Sequence, residues 1–89
     1  MLLLMYSIVL RSKAQKQYGH LPEKDRARVL EALHGLREDP FAGKKLRGDL
    51  LGCYAIRVWP YRIIYIIEKN IITVTVLAIG HRRDVYEKA

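Results

Sequence analysis

The sequence is short of the residues that build disulfide frameworks and metal sites. It has a single cysteine, Cys53, which excludes an internal disulfide and fits a reducing, cytoplasmic compartment. Cys53 lies beside a predicted strand, so we interpret it as a buried, inert thiol. No group of histidine, cysteine, aspartate and glutamate residues has the spacing of metal ligands, so we expect neither a metal nor a cofactor.

The chain also lacks a hydrophobic run long enough to cross a bilayer. The opening MLLLMYSIVL is apolar, but no basic segment precedes it and no small-residue cleavage site follows it, which argues against a signal peptide. We therefore expect no association with membranes. Met5 is an alternative start, which would make residues 1–4 an extension.

What the chain has in excess is positive charge. Sixteen Lys and Arg residues oppose nine Asp and Glu residues, so the formal net charge is +7, and the hydrophobic fraction of 51% is too high for a disordered chain. Its 89 residues predict one domain, 1–89, with a marginal core. Such a domain is expected to bind a polyanion or an acidic protein; the alternative is a merely soluble basic surface.

Hydrophobic periodicity predicts one strand, two helices and three further strands. Ser12 is expected to cap the first helix and Gly19 to end it, while Pro22 suits the first turn of the second. A tight hairpin is expected at Lys69–Asn70. This order indicates an α+β domain with both helices on one face of the sheet. The predicted strands are Tyr6–Leu10, Tyr54–Trp59, Tyr61–Glu68 and Ile71–Ile79; the helices are about Lys13–Tyr18 and from Pro22 to Asp39, with the stripe Val29, Leu30, Leu33 and Leu36.

Basic residues occupy the loop 40–52 and the predicted strands. Arg57 and Arg62 flank the Trp59–Pro60 turn, and Arg82 follows the last strand. An arginine among apolar strand residues is costly unless it is solvated or paired, and only Glu68 is placed to pair across a hairpin. Because the planar guanidinium suits phosphate, the three arginines could converge on one backbone phosphate. The alternative is three independent surface arginines.

Several motifs in combination resemble the RelE branch of the RelE/ParE toxin superfamily. They are K-x-L-R-G, Y-x-I-R-V and Y-R-I-I-Y within KKLRGDLLGCYAIRVWPYRIIYII, and G-H-R-R-D-V-Y within VLAIGHRRDVYEK. The likeness covers nearly the whole chain. It implies two N-terminal helices packed on a small, twisted, mainly antiparallel four-stranded sheet (β-α-α-β-β-β), followed by a short C-terminal helix or turn.

The resemblance also implies a function and a set of site residues. Such toxins enter the ribosomal A site, cleave mRNA there without metal, and are inhibited by an acidic antitoxin of the RelB type. Arg57, Arg62 and Arg82 match the arginines that bind the phosphate and stabilise the transition state, and Tyr86 would stack on the substrate or donate to it. The basic loop that meets ribosomal RNA corresponds here to Lys44, Lys45 and Arg47. Ala55 departs from the best-studied type, which has a lysine there that can serve as general base.

The chemistry of metal-free RNA cleavage leaves the proton carriers open. The 2′-hydroxyl attacks the phosphorus, so a base, an acid and positive charge are needed, and arginine supplies only the charge. His81 has the only local side chain with an ordinary pKa near 7, and we nominate it as acid or base. Tyr86 could instead donate a proton if the neighbouring arginines lower its pKa. An exposed strand-end histidine and a packing tyrosine are the structural alternatives.

Two other functions remain open at this point. One is a ParE-like toxin that inhibits DNA gyrase, which Ala55 favours but the retained arginines and Tyr86 oppose. The other is a basic RNA-binding module without catalytic activity. A ribosome-dependent endonuclease is the function that the sequence favours.

Overall fold

The computed structural model describes residues 5–81, and within that range the chain forms two helices and five strands. Its elements are β1 Ser7–Leu10, α1 Ser12–His20, α2 Glu23–Glu38, β2 Lys44–Lys45, β3 Tyr54–Val58, β4 Tyr61–Glu68 and β5 Thr73–His81. Neither helix in this range is long and apolar enough to span a bilayer. The α+β class predicted from the sequence is confirmed.

The strands form one mixed sheet in the order β1-β5-β4-β3-β2. β1 runs parallel to β5, and the other neighbours are antiparallel. The prediction of four strands is wrong by one, because β2 is a fifth strand at the edge of the sheet. Its two lysines are both exposed, so β2 lacks the alternation of apolar and polar residues that identifies a strand in a sequence.

The element ends differ in detail from those predicted. Arg11, not Ser12, is the N-cap of α1, and its side chain makes no capping hydrogen bond. α1 continues through Gly19 and ends after His20, where the Leu21 N–H bonds back to the carbonyl of Tyr18. Pro22 is the N-cap of α2 and not part of its first turn. Each difference is of one or two residues, as expected for helix ends, which fray and are only weakly marked in a sequence.

The β4–β5 connection is longer than the predicted two-residue hairpin. A 3₁₀ turn over Lys69–Ile71 follows Glu68, and Ile72 then adopts a left-handed conformation with φ of 48° before β5 begins at Thr73. β5 accordingly starts two residues later than predicted and runs to His81. A positive φ is rare for a β-branched residue, which is why the sequence did not indicate this turn.

Both helices pack on one face of the sheet, as predicted. Ala14 of α1 and Val29, Leu33 and Leu36 of α2 are buried against inward-facing strand residues. Leu30, which belongs to the predicted stripe, is 43% exposed and lies at the margin of this core. On the opposite face a smaller cluster contains Ala55, Ile64 and Ala78, with Leu46, Cys53 and Leu77 packed against it.

Tyr65 fixes the loop that leads into β2. Its hydroxyl donates to the Pro40 carbonyl at 2.8 Å and accepts a hydrogen bond from the Gly43 N–H at 3.1 Å. A Cβ at position 43 would collide with the Tyr65 hydroxyl and would lie 2.8 Å from the carbonyl oxygen of Ala55. Glycine is therefore required at position 43 for the loop to approach Tyr65 and β3 this closely.

The burial of Tyr65 predicts a loss of stability in alkali. Burial is the main cause that raises the pKa of its phenol to about 12. In the unfolded chain the Tyr65 phenol ionises near pH 10, whereas in the folded protein it stays neutral up to about pH 12. The contribution of the neutral phenol to the free energy of unfolding is therefore complete below pH 10 and is lost between about pH 10 and 12. We expect urea unfolding to reveal a steeper fall of stability over this window for the parent than for Tyr65→Phe. Equal slopes would contradict the assignment.

Candidate phosphate-binding site

Arg57 and Arg62 are direct neighbours across the β3–β4 hairpin. They lie opposite each other in the strand register, and both point away from the helices. The direction follows from Tyr61, which precedes Arg62 and donates a hydrogen bond to Asp25 of α2, so that Arg62 must face the other way. The question that the sequence left open, whether these two arginines share a face, is thereby answered.

Arg62 carries a buried nitrogen with an unused hydrogen-bonding capacity. Its Nη1 has no hydrogen-bond partner in the described part of the chain. The pairing with Glu68 that the sequence left open is not formed, because Glu68 lies at the far end of β4 and accepts a 2.7 Å hydrogen bond from the Thr75 hydroxyl. On its other side Arg62 faces Gly80 of β5, which has no side chain to contribute. A buried donor without an acceptor is costly, and an anionic ligand would satisfy it.

The two arginines line an open cavity of about 310 Å³ on this face of the sheet. Lys44 of β2 lines the same cavity, and the remaining residues around it are small or apolar, with Gly43 and Ala55 among them. No carboxylate is among the described residues that line it. Three positive charges without a negative one favour an anion as the occupant of this cavity.

The three basic loop residues, Lys44, Lys45 and Arg47, line one open groove at the edge of the sheet, but they differ in their relation to the arginine pair. Lys44 lies opposite Ala55, whose side chain is on the arginine face. Lys45 lies opposite Tyr54 and does not line the arginine cavity. Arg47 is exposed and precedes the short 3₁₀ turn Gly48–Leu50. Only one of the three basic loop residues is therefore directed towards the arginine pair.

His81 lies on the opposite face from the arginine pair. It pairs with Tyr61 in the register, and the two ring centroids are 5.2 Å apart. The hydrogen bond from Tyr61 to Asp25, at 2.6 Å, raises the pKa of Tyr61 and holds this residue on the helix side. Because neighbouring residues of a strand alternate, His81 cannot share the face of Gly80 and Arg62. The geometry therefore gives no support to the nomination of His81 as acid or base.

Two nominated residues, Arg82 and Tyr86, lie outside the described residues, so their roles stay predictions.

Cys53 is half-buried rather than fully buried, and burial raises the pKa of its thiol, which keeps it in the less reactive neutral form. This agrees with its interpretation as an inert thiol.

The arginines of α2 serve local contacts away from the cavity. Arg26 Nη1 donates to the Leu21 carbonyl at 2.8 Å, and Arg37 Nε donates to the Tyr6 carbonyl at 3.3 Å. Arg28 lies 3.8 Å from Asp25 on the surface. None of these contacts joins the helix arginines to Arg57 and Arg62.

Sequence reasoning missed Gly43 and Gly80 as parts of the site. Gly43 allows the close approach of the loop to Tyr65, and Gly80 occupies the place beside Arg62 where a side chain would otherwise stand. A glycine inside an apolar strand is a recognised signal of close backbone or ligand approach, and it could have drawn attention to Gly80.

The fold and the site define a class of small basic α+β proteins with a cavity lined by cationic side chains on one face of a helix-backed sheet. The protein-family model described as the ParE toxin of type II toxin–antitoxin system, parDE, matches residues 8–86 of this chain. The chain therefore belongs to the RelE/ParE family of type II toxins, as its motifs predicted.

Proteins of known name and structure agree with this assignment. Toxin RelG of Mycobacterium tuberculosis is 33% identical over 85 residues, which cover 93% of this chain and 98% of RelG. The toxin–antitoxin complex RelBE2 of the same organism contains a chain with a TM-score of 0.81 and 32% identity, covering 88% of this chain and 99% of that one. A mutant of the E. coli toxin RelE in the free state also has a TM-score of 0.81 and is 27% identical. The match covers 96% of this chain and 94% of the RelE chain.

Proposed function

We propose that this toxin is a ribosome-dependent, metal-independent mRNA endonuclease that inhibits translation. The observation that carries the proposal is the arginine pair, Arg57 opposite Arg62, with a buried and unsatisfied Nη1 in a cavity that no described carboxylate lines. The similarity to toxins named RelE and RelG supports it.

The proposed reaction uses the RNA as its own nucleophile. The 2′-oxygen forms a bond to phosphorus and loses its proton to a base, while the bond from phosphorus to the 5′-oxygen breaks and that oxygen takes a proton from an acid. Negative charge builds on the non-bridging oxygens in between. Arg57 and Arg62 would bind these oxygens, because charged donors fixed in place stabilise charge that develops in a transition state.

The remaining site residues enter as proposals from the family resemblance. Arg82 would add a third guanidinium to the phosphate, and Tyr86 would stack on a base or protonate the leaving oxygen. Lys45 and Arg47 would bind ribosomal RNA. For His81 we propose no catalytic role with this arginine pair, since its ring lies on the other face of the sheet.

The proposed partner is an acidic, RelB-like antitoxin acting in the cytoplasm. Two structures similar to this chain come from complexes of this kind, the RelBE2 complex of M. tuberculosis and the intact RelBE complex of E. coli. A chain with a net charge of +7 should bind an acidic, partly disordered segment that folds on it, and part of the affinity should weaken with salt.

The proposal predicts that expression without an antitoxin stops translation. In cells, we expect the incorporation of pulse-labelled amino acids to collapse before the incorporation of nucleotides. In vitro, purified toxin that has been treated with EDTA should still cut mRNA on programmed ribosomes. The matched control is Arg57→Ala together with Arg62→Ala, which removes both cations of the pair. Cleavage by the double variant at the rate of the parent would contradict the proposal.

A gyrase inhibitor is the second candidate, because the matching family model is that of a ParE toxin. That function predicts a different order of events in the same cells. DNA supercoiling and synthesis would fail first, while ribosomes would continue to translate intact mRNA. Purified gyrase assayed with and without the toxin decides between the two candidates.

A further inference from the structure

We infer that Lys44 joins Arg57 and Arg62 in the cavity and contacts the scissile phosphate, whereas its neighbour Lys45 does not. The inference rests on the proposed function for the identity of the anion. It departs from the sequence expectation, which placed Lys44, Lys45 and Arg47 together against ribosomal RNA.

The strand register brings Lys44 towards the arginines. Lys44 lies opposite Ala55 in the β2–β3 pair, and Arg57 follows two residues later on the same face of β3. Residues in such a diagonal relation lie roughly 7–8 Å apart, with their Cβ atoms somewhat closer, and long side chains readily bridge this distance. Lys44, Arg57 and Arg62 all line the one cavity. Their charged ends can therefore reach a single anion.

Ala55 leaves room for this arrangement. Its methyl group lies between Lys44 and the central strand, is 7% exposed, and lines the same cavity. Lys44, directly opposite Ala55 on the neighbouring strand, is the residue of β2 that lines this cavity.

Lys44 is held in this register by contacts that involve no charge. Tyr65 binds both ends of the preceding loop, through the Pro40 carbonyl and the Gly43 N–H. Lys44 itself makes no hydrogen bond or ion pair with any residue between 5 and 81. Its backbone is thus fixed, and no residue between 5 and 81 engages its ammonium group.

Lys45 provides a matched control within the same strand. Both lysines are exposed, carry the same charge and line one groove with Arg47, but only Lys44 also lines the cavity of the arginine pair, while Lys45 lies opposite Tyr54. Replacing either one removes one positive charge from β2. A difference between the two variants therefore reports the position of the charge and not its amount.

The test compares Lys44→Ala, Lys44→Arg and Lys45→Ala in single-turnover cleavage of mRNA on programmed ribosomes. At saturating toxin we expect Lys44→Ala to lose at least tenfold in rate, since it removes a charge that stabilises the transition state. Lys44→Arg should recover most of that loss. Lys45→Ala should instead raise the toxin concentration needed for half-maximal rate while its saturating rate stays within about threefold. Equal saturating rates for the two alanine variants, or no recovery by arginine, would overturn the inference.

A binding measurement separates this inference from the proposed function. A short RNA with 2′-O-methyl groups cannot be cut, and its affinity for the isolated toxin can be followed by NMR titration. We expect Lys44→Ala to weaken binding at least fivefold more than Lys45→Ala does. If Lys44→Ala selectively weakens RNA binding but the parent does not cut mRNA on ribosomes, the site formed by Lys44, Arg57 and Arg62 is supported and the endonuclease function is rejected. Cleavage by the parent together with equal weakening by both variants would reject the role of Lys44 alone.

Discussion

Replacing Arg62 by methionine is expected to reduce cleavage by roughly 100- to 1,000-fold and at the same time to stabilise the fold. The loss of rate corresponds to about 2.7–4 kcal/mol for one charged donor to the transition state. The gain in stability follows because the buried Nη1 has no acceptor between residues 5 and 81 and because Arg57 lies directly opposite. Methionine keeps most of the aliphatic packing, so we expect a gain of about 1 kcal/mol.

Arg57→Met is the matched control for this prediction. It removes the same charge from the same pair, but Arg57 is exposed and leaves no buried donor behind. Its stability should therefore stay within about 0.5 kcal/mol of the parent, while its cleavage rate falls. Urea unfolding gives the stability, and single-turnover cleavage on ribosomes gives the rate. A destabilised Arg62→Met variant would mean that Arg62 serves the fold and not a ligand.

Replacing Gly43 by alanine is expected to cost about 2–3 kcal/mol of stability. The added Cβ would collide with the Tyr65 hydroxyl and press on the carbonyl of Ala55, which would break the hydrogen bonds that fix the loop. For a domain of this size such a loss lowers the melting temperature by about 10 °C or more. Because β2 begins at the next residue, cleavage should fall along with the stability.

Gly35→Ala is the control, since it makes the same substitution where there is space. Gly35 lies in the exposed part of α2, and beyond the adjacent backbone of the helix itself an added Cβ would meet no atom within 4 Å. Alanine should raise stability there by about 0.5–1 kcal/mol through its higher helix propensity. Thermal unfolding followed by circular dichroism measures both variants. Equal melting temperatures for the two would show that the loop adapts to a side chain at position 43.

The sequence by itself determined the fold class and most of the elements. The apolar positions Val29, Leu33 and Leu36 recur at helical spacing and are buried in α2, and the alternation of β3 directs Ile56 and Val58 to the helix side. These patterns are local, because each depends only on the period of one element. The family was also evident from the sequence, since its motifs consist of short runs of neighbouring residues.

Only the tertiary structure decided which charged side chains share a face. The opposition of Arg57 and Arg62, the separation of Lys44 from Lys45 and the position of His81 beside Tyr61 all depend on the register between strands. A shift of one residue would reverse every one of them. That register is fixed by distant contacts, such as Tyr65 with the loop at Gly43 and Tyr61 with Asp25. Residues so far apart along the chain leave no periodic signal, so the motifs named Arg57, Arg62 and Lys44 as site residues but only the fold decided how these side chains are grouped.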